Sequence, residues 1–314
     1  MSTTTFARLA CAAAAASLCL ASLPAAAIMA IAPFTGLVVL GDSLSDNGNL
    51  FAATGFPPLP NFQGRFSNGV VAVEHLATGL GLNNPVQFRD LAIGGATTGT
   101  AGAFPNTGML VQLASFSAAL GGNPADSSAL YTVWGGANDL RAAAAGGPVA
   151  VGAAIAAAIG NLTSIVTTLH GLGAHHFLLP NLPDLGLTPE AINANGVAQA
   201  TFASETFNSQ LALAYSGLAA AWADEKFYYL DVMKAQRDLV SGAPGNGFTD
   251  VTHSCLATAG CNPATFVYWD SIHPTAITHQ ILGAQMLAAV PEPQTMLLMA
   301  AGLLVLLGAA RRRR

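Results

Sequence analysis

Basic residues are scarce in this 314-residue chain, which carries 11 Lys and Arg against 16 Asp and Glu. Five of those 11 sit at the ends, as Arg8 and Arg311 to Arg314, and Glu292 also lies beyond residue 289. The stretch 28–289 therefore keeps 6 basic and 15 acidic residues, a net charge of −9. Such a surface argues against nucleic acid and against anionic membranes as partners. Cysteine is equally sparse: of four, Cys11 and Cys19 fall in the apolar N-terminal stretch, leaving Cys255 and Cys261. Only His253 stands near that pair, too few ligands for a metal site, and five intervening residues suit a local disulfide in an exported chain. No Gly-x-Gly-x-x-Gly follows the first apolar run and no phosphate loop ends in Gly-Lys-Ser/Thr, which excludes the common nucleotide-binding α/β patterns. There is no internal repeat, and no linker divides the middle of the chain.

Both ends carry targeting features instead. Residues 1–27 place one positive charge, Arg8, before an apolar run from Leu9 to Leu23, then Pro24 and small residues. That order predicts a secretory signal peptide, with Ala25 and Ala27 at the −3 and −1 positions of the cleavage site. A buried N-terminal helix is the competing reading. At the other end, Val290-Pro291-Glu292-Pro293 precedes an apolar run from Thr295 to Ala310 and then four arginines. Sixteen residues rise ~24 Å as helix, somewhat short of the ~30 Å hydrocarbon core, a mismatch that bilayers accommodate. The arginines would stay cytoplasmic. This ending resembles the PEP-CTERM sorting signal of Gram-negative bacteria. The resemblance implies cleavage by an exosortase-type protease near Pro291–Pro293 and delivery to the cell surface or its polysaccharide, after transient anchoring in the inner membrane. The alternative is an ordinary C-terminal anchor. The expected organisation is thus a signal peptide (1–27), one domain (28–289) and a sorting segment (290–314).

The middle of the chain alternates short apolar or β-branched runs with longer alanine-rich stretches. Strands are predicted at Leu37–Leu40, Val86–Ile93, Ala129–Trp134, His176–Pro180 and Phe227–Leu230, and helices near 68–80, 107–120, 148–171, 195–225 and 274–289. Buried strands alternating with helices predict a mostly parallel sheet covered on both faces. Residues 241–268, rich in Gly, Pro, Ser and Thr, read as a long loop. In such a sheet, active groups gather beyond the C-terminal ends of the strands.

Four blocks are delivered there. The first is Gly41-Asp42-Ser43-Leu44-Ser45, and the second ends in Ile93-Gly94-Gly95-Ala96. The third is Gly135-Gly136-Ala137-Asn138-Asp139, and the fourth is Asp270-Ser271-Ile272-His273-Pro274. In this order they resemble the GDSL or SGNH hydrolases across about residues 36–288. The resemblance implies a three-layer α/β/α sandwich with a five-stranded, flavodoxin-like sheet. It also implies a serine esterase acting without cofactor or metal. A serine hydroxyl needs a base to become a nucleophile, and an imidazole titrating near neutrality suits that task. Ser43 is then the nucleophile, His273 the base and Asp270, three residues earlier, the carboxylate that orients the ring. By resemblance the oxyanion hole consists of the Ser43 and Gly95 N–H groups and the Asn138 amide. The competing role for Ser43 is to cap a helix over 44–50.

Other polar residues read as supports. Asp46 is expected to hold the nucleophile turn and Asp139 the Asn138 turn. Gly64-Arg65-Phe66-Ser67-Asn68-Gly69 is expected to order the loop into the next helix, with Arg65 structural rather than substrate-binding. Of His175 and His176 only one can face the core; His75 and His279 read as surface or packing residues, and His253 as a residue of the long loop. The expected substrate is a lipid, short-chain or carbohydrate O-acetyl ester, chosen by the loops near 55–63, 99–106 and 241–268, and the expected protein is a monomer. A non-catalytic adhesion or binding protein on the same scaffold is the alternative.

Overall fold

The computed structural model describes residues 34–243, 245–290 and 302. The expected signal peptide and, but for Gly302, the apolar stretch with its arginines therefore lie outside the described residues. The elements in chain order are β1 (Leu37–Gly41), α1 (Asn49–Thr54), α2 (Ala72–Gly79), β2 (Phe88–Asp90), α3 (Met109–Ala119) and β3 (Leu130–Trp134). Next come α4 (Ala137–Ala143), α5 (Gly147–Gly171), β4 (His176–Pro180), α6 (Pro189–Asn193) and α7 (Val197–Ala221). The last are β5 (Lys226–Leu230), α8 (Val232–Ser241), β6 (Asp250–Ser254), β7 (Phe266–Tyr268) and α9 (Ala276–Ala289).

Five strands form one parallel sheet in the order β2-β1-β3-β4-β5, the flavodoxin-like arrangement. Side chains alternate across it, as a period of two requires. Val38, Leu40, Tyr131, Val133, Phe177 and Leu179 point to one face, where they pack with buried residues of α3, α5 and α7. Leu37, Val39, Leu130, Trp134 and Leu178 point to the other, against α2, α8 and α9. The result is a three-layer α/β/α sandwich. Among the described residues, the run Ala137–Gly171 is long and apolar enough to cross a membrane. Its α5 portion, however, buries Ile155, Ala158, Leu162, Ile165, Val166 and Leu169, most of them in the core beneath the sheet.

Two expectations change. The strand predicted over Val86–Ile93 is regular only at Phe88–Asp90, because Gln87 N–H closes a turn onto the Asn84 carbonyl. Beyond Asp90 the chain still follows β1, with the Leu91 and Ile93 N–H groups donating to the Val39 and Gly41 carbonyls. The long loop over 241–268 is not structureless either: β6 and β7 pair in parallel, and Phe248, Val267 and Tyr268 pack with Leu239 and Ala243 as a small core. Short strands embedded in Thr, Ser and Gly carry too little apolar periodicity to be read from sequence. The Cys255–Cys261 disulfide closes the connection between these two strands.

Candidate active site

β1, buried along its whole length, ends at Gly41, where a side chain has no room: a Cβ would lie 2.9 Å from the Trp134 carbonyl oxygen. The Gln112 side chain takes over the pairing. Gly41 N–H donates to Gln112 Oε1 at 2.9 Å, and Gln112 Nε2 donates to the Gly41 carbonyl at 2.8 Å. The chain then turns, with Ser45 and Asp46 N–H groups both donating to the Asp42 carbonyl. Asp46 secures the turn as expected. Its carboxylate accepts from the N–H groups of Gly48, Asn49, Leu50 and Gly94 at 2.6–3.2 Å, tying the first block to the second. The helix over 44–50 of the competing reading begins only at Asn49, and Ser43 does not cap it.

Ser43 is buried, and its Oγ lies 2.7 Å from His273 Nε2. His273 Nδ1 lies 2.7 Å from Asp270 Oδ2, and the other carboxylate oxygen accepts the Ile272 and His273 N–H groups at 2.9 and 2.7 Å. Burial would raise the Asp270 carboxyl. The His273 charge, its hydrogen bond and the two backbone donors outweigh burial and hold it below its ordinary value. Behind the turn, burial pushes the Asp42 carboxyl up to about 6.

Gly95 adopts φ 75°, a conformation glycine reaches without strain. Among the described residues, neither the Ser43 nor the Gly95 N–H group finds a protein acceptor. Asn138, on the first turn of α4, gives one amide hydrogen to the Ala96 carbonyl at 2.9 Å. Its second amide hydrogen has no protein acceptor, and Asn138, Ser43 and His273 line the same pocket. The Asp139 carboxylate reaches across instead: it accepts the Thr98 N–H and hydroxyl at 2.9 and 2.7 Å, clamping α4 to the loop after Gly95.

Several residues near the site carry roles that sequence reading missed. The Phe66 ring packs 5.0 Å from the His273 ring, centroid to centroid. Ser67 Oγ donates to the Pro274 carbonyl at 2.9 Å, and Asn68 Oδ1 accepts the Ala276 N–H at 2.8 Å. The Gly64–Gly69 block therefore holds the histidine loop rather than merely its own. Arg65 is structural, forked onto Glu74. Arg141 donates to Asn138 Oδ1 at 3.2 Å and is itself forked onto Glu190 at 2.7 Å. His279, fully buried, accepts the Ala72 N–H at the start of α2, and burial holds its ring near about 3, hence neutral. His253 stays exposed beside Asp250, and His175 beside Glu225.

Ser43, His273 and Asp270 thus stand in one hydrogen-bonded line on the C-terminal edge of a flavodoxin-like sheet, an arrangement chemically able to activate a serine hydroxyl. Residues 37–286 match the family model described as GDSL-like Lipase/Acylhydrolase, and the chain belongs to that family of ester-hydrolysing enzymes. Residues 289–314 match the PEP-CTERM protein-sorting motif, which marks the chain for export and processing toward the cell surface. The chain is 29% identical over 279 residues to a thermolabile hemolysin of Vibrio parahaemolyticus, covering 80% of this chain and 62% of that one. It is 27% identical over 151 residues to the GDSL esterase/lipase APG of Arabidopsis thaliana, covering 41% and 43%. The matched region thus spans less than two thirds of either relative. An alpha/beta hydrolase from the metagenome of Lake Arreo, Spain, superimposes with a TM-score of 0.47 at 18% identity, covering 83% of this chain and 97% of that one.

Proposed function

We propose that the protein is an exported serine esterase that cleaves carboxylic esters through an acyl-enzyme. Ser43 Oγ attacks the ester carbonyl while His273 Nε2 takes its proton. The same imidazolium then protonates the departing alcohol, and water repeats the sequence on the acyl-serine. Asp270 keeps the ring proton on Nδ1 and stabilises the imidazolium. The tetrahedral oxyanion is received by the N–H groups of Ser43 and Gly95 and by the free amide hydrogen of Asn138. The observation that carries this reading is the unbroken line Ser43–His273–Asp270, with 2.7 Å at each step, beside two unsatisfied N–H groups. An adhesion protein on the same scaffold would have no need of that line.

The organisation proposed with it is a signal peptide over 1–27, the hydrolase domain over 28–289 and the sorting segment over 290–314. In a Gram-negative cell the apolar stretch after Pro293 would hold the protein transiently in the inner membrane until an exosortase-type protease releases it. The test is hydrolysis of p-nitrophenyl esters from acetate to palmitate, with Ser43→Ala beside the parent. We expect the variant to lose at least about 10³-fold in kcat and to lose labelling by a fluorophosphonate. A folded parent that neither turns over nor takes the label would overturn the esterase reading.

A further inference from the structure

We propose that Arg141 is a positioning residue for ester cleavage, holding the Asn138 amide in the one orientation that serves the oxyanion, with Glu190 as its anchor. This rests on the esterase reading and adds two residues to it that touch neither Ser43 nor His273.

The need arises from the amide itself. Its oxygen and nitrogen differ little in size, so a half turn about the last side-chain bond would present an acceptor where a donor is required. Two partners of fixed character oppose that turn. The Ala96 carbonyl can only accept, and takes one Nδ2 hydrogen at 2.9 Å. The Arg141 guanidinium can only donate, and gives Nη1–H to Oδ1 at 3.2 Å. With both bonds made, the second Nδ2 hydrogen is left for the pocket that Asn138 shares with Ser43 and His273. A flipped amide would face Nδ2 to a cation and Oδ1 to a carbonyl, losing both bonds.

The helix supplies the approach. Arg141 follows Asn138 by three residues on α4, so both side chains lie on one face. The Arg141 side chain is 34% exposed, and a second tie is what keeps it from wandering. Glu190 provides that tie: its two oxygens accept Arg141 Nε–H and Nη2–H, each at 2.7 Å, a planar fork that leaves Nη1 for Asn138. These bonds hold the Arg141 guanidinium above its ordinary value and the Glu190 carboxyl below its own, so both stay charged. Glu190 is itself fixed on the first turn of α6, which Pro189 opens and the Thr188 hydroxyl caps. Its N–H donates to the Ser271 carbonyl at 2.9 Å, between Asp270 and His273. Glu190 thereby ties the proposed oxyanion donor, through Arg141, to the loop that carries the proposed base.

The test is a double-mutant cycle in the full chain, on the p-nitrophenyl ester that the parent cleaves fastest. Arg141→Met keeps most of the stem and removes every donor. It should lower kcat roughly 10–30-fold with KM within about twofold, because the amide is lost as a transition-state donor and not as a binding group. In the Asn138→Ala chain the same change should lower kcat less than about threefold, since no amide remains to be oriented. Glu190→Gln, which loosens Arg141 without removing it, should show part of the kcat loss in the parent and none in Asn138→Ala. Equal losses in both backgrounds would make the pair a structural tie alone and overturn the proposal. So would a raised KM with kcat unchanged, which would make Arg141 a substrate contact. An active parent with unaltered variants overturns this inference alone. A parent that neither turns over nor takes a fluorophosphonate overturns the esterase reading and this inference with it.

Discussion

Two segments meet at the hydrogen bond between Ser43 and His273, and they are held in different ways. The nucleophile turn is largely self-sufficient: Asp42 and Asp46 bind N–H groups two to four residues further on, and Gln112 and Gly94 add the remaining ties. The histidine loop borrows its support from far away. Ser67, Asn68, Asn61 and Ala72 reach the Trp269–His279 stretch from 207 or 208 positions earlier in the chain. The proposed nucleophile is thus placed by local turn chemistry grafted onto a buried strand. The proposed base is placed by tertiary contacts that do not touch Ser43. Damage to the first segment should register as lost stability, and damage to the second as lost rate.

The contrast breaks most visibly at Asp46. Asp46→Ala strands four backbone donors, three on the turn and one on Gly94, and should cost roughly 4 kcal/mol in chemical denaturation. A loss under about 1 kcal/mol would show that the turn stands without its hub. Asn138→Ala probes the shared ground between the segments. Losing one oxyanion donor should reduce kcat about 10²–10³-fold, equivalent to about 3–4 kcal/mol, and a loss under about tenfold would remove Asn138 from the hole.

Asp42 tests the same turn through pH. Its carboxyl is raised from 3.8 to about 6 in the fold, so the folded state binds the proton more tightly than the unfolded chain. Its ionisation therefore erodes stability as pH rises from about 4 through 6, by at most about 3 kcal/mol. Asp42→Asn, whose amide oxygen can still accept the Leu44 N–H, should be more stable than the parent at pH 8 and lose that advantage by pH 4. Equal melting differences at both pH values would contradict the burial effect. The smallest change sharpens the other side: Asn68→Ala removes the acceptor for the first N–H of α9 and should cost about 1 kcal/mol. It should lower kcat by more than its stability loss suggests. An unaltered kcat would mean that the histidine loop keeps its place without the clamp.

The division also explains what could be read from sequence. β1, β3 and β4 appear as buried apolar runs, and the Gly-containing blocks that follow β1, β2 and β3 are where Ser43, Gly95 and Asn138 stand. The Asp270 and His273 spacing of three is likewise a local signal, completed by the turn in which Asp270 accepts the Ile272 and His273 N–H groups. The grip of Phe66, Ser67 and Asn68 on the histidine loop was not legible, because a contact across some 200 residues leaves no periodicity in either partner. The same holds for Gln112, a polar residue on an apolar helix that looks misplaced until Gly41 is seen against it, and for Arg141 on Asn138. The pairing of β6 with β7 escaped for a different reason: regular hydrogen bonding spans few residues there, and composition pointed to coil.

The separation of 230 residues between Ser43 and His273 carries a temporal meaning. A chain exported N-terminus first presents β1 and its turn early, while residues 270–279 emerge only near the end. Pairings that distant are slow to close, and domains complete their folding once the whole unit is available. On the proposed mechanism, a nascent chain that has emerged only part-way would carry Ser43 with no base beside it. On that mechanism, ester cleavage would then wait until nearly the last residue of the domain has emerged.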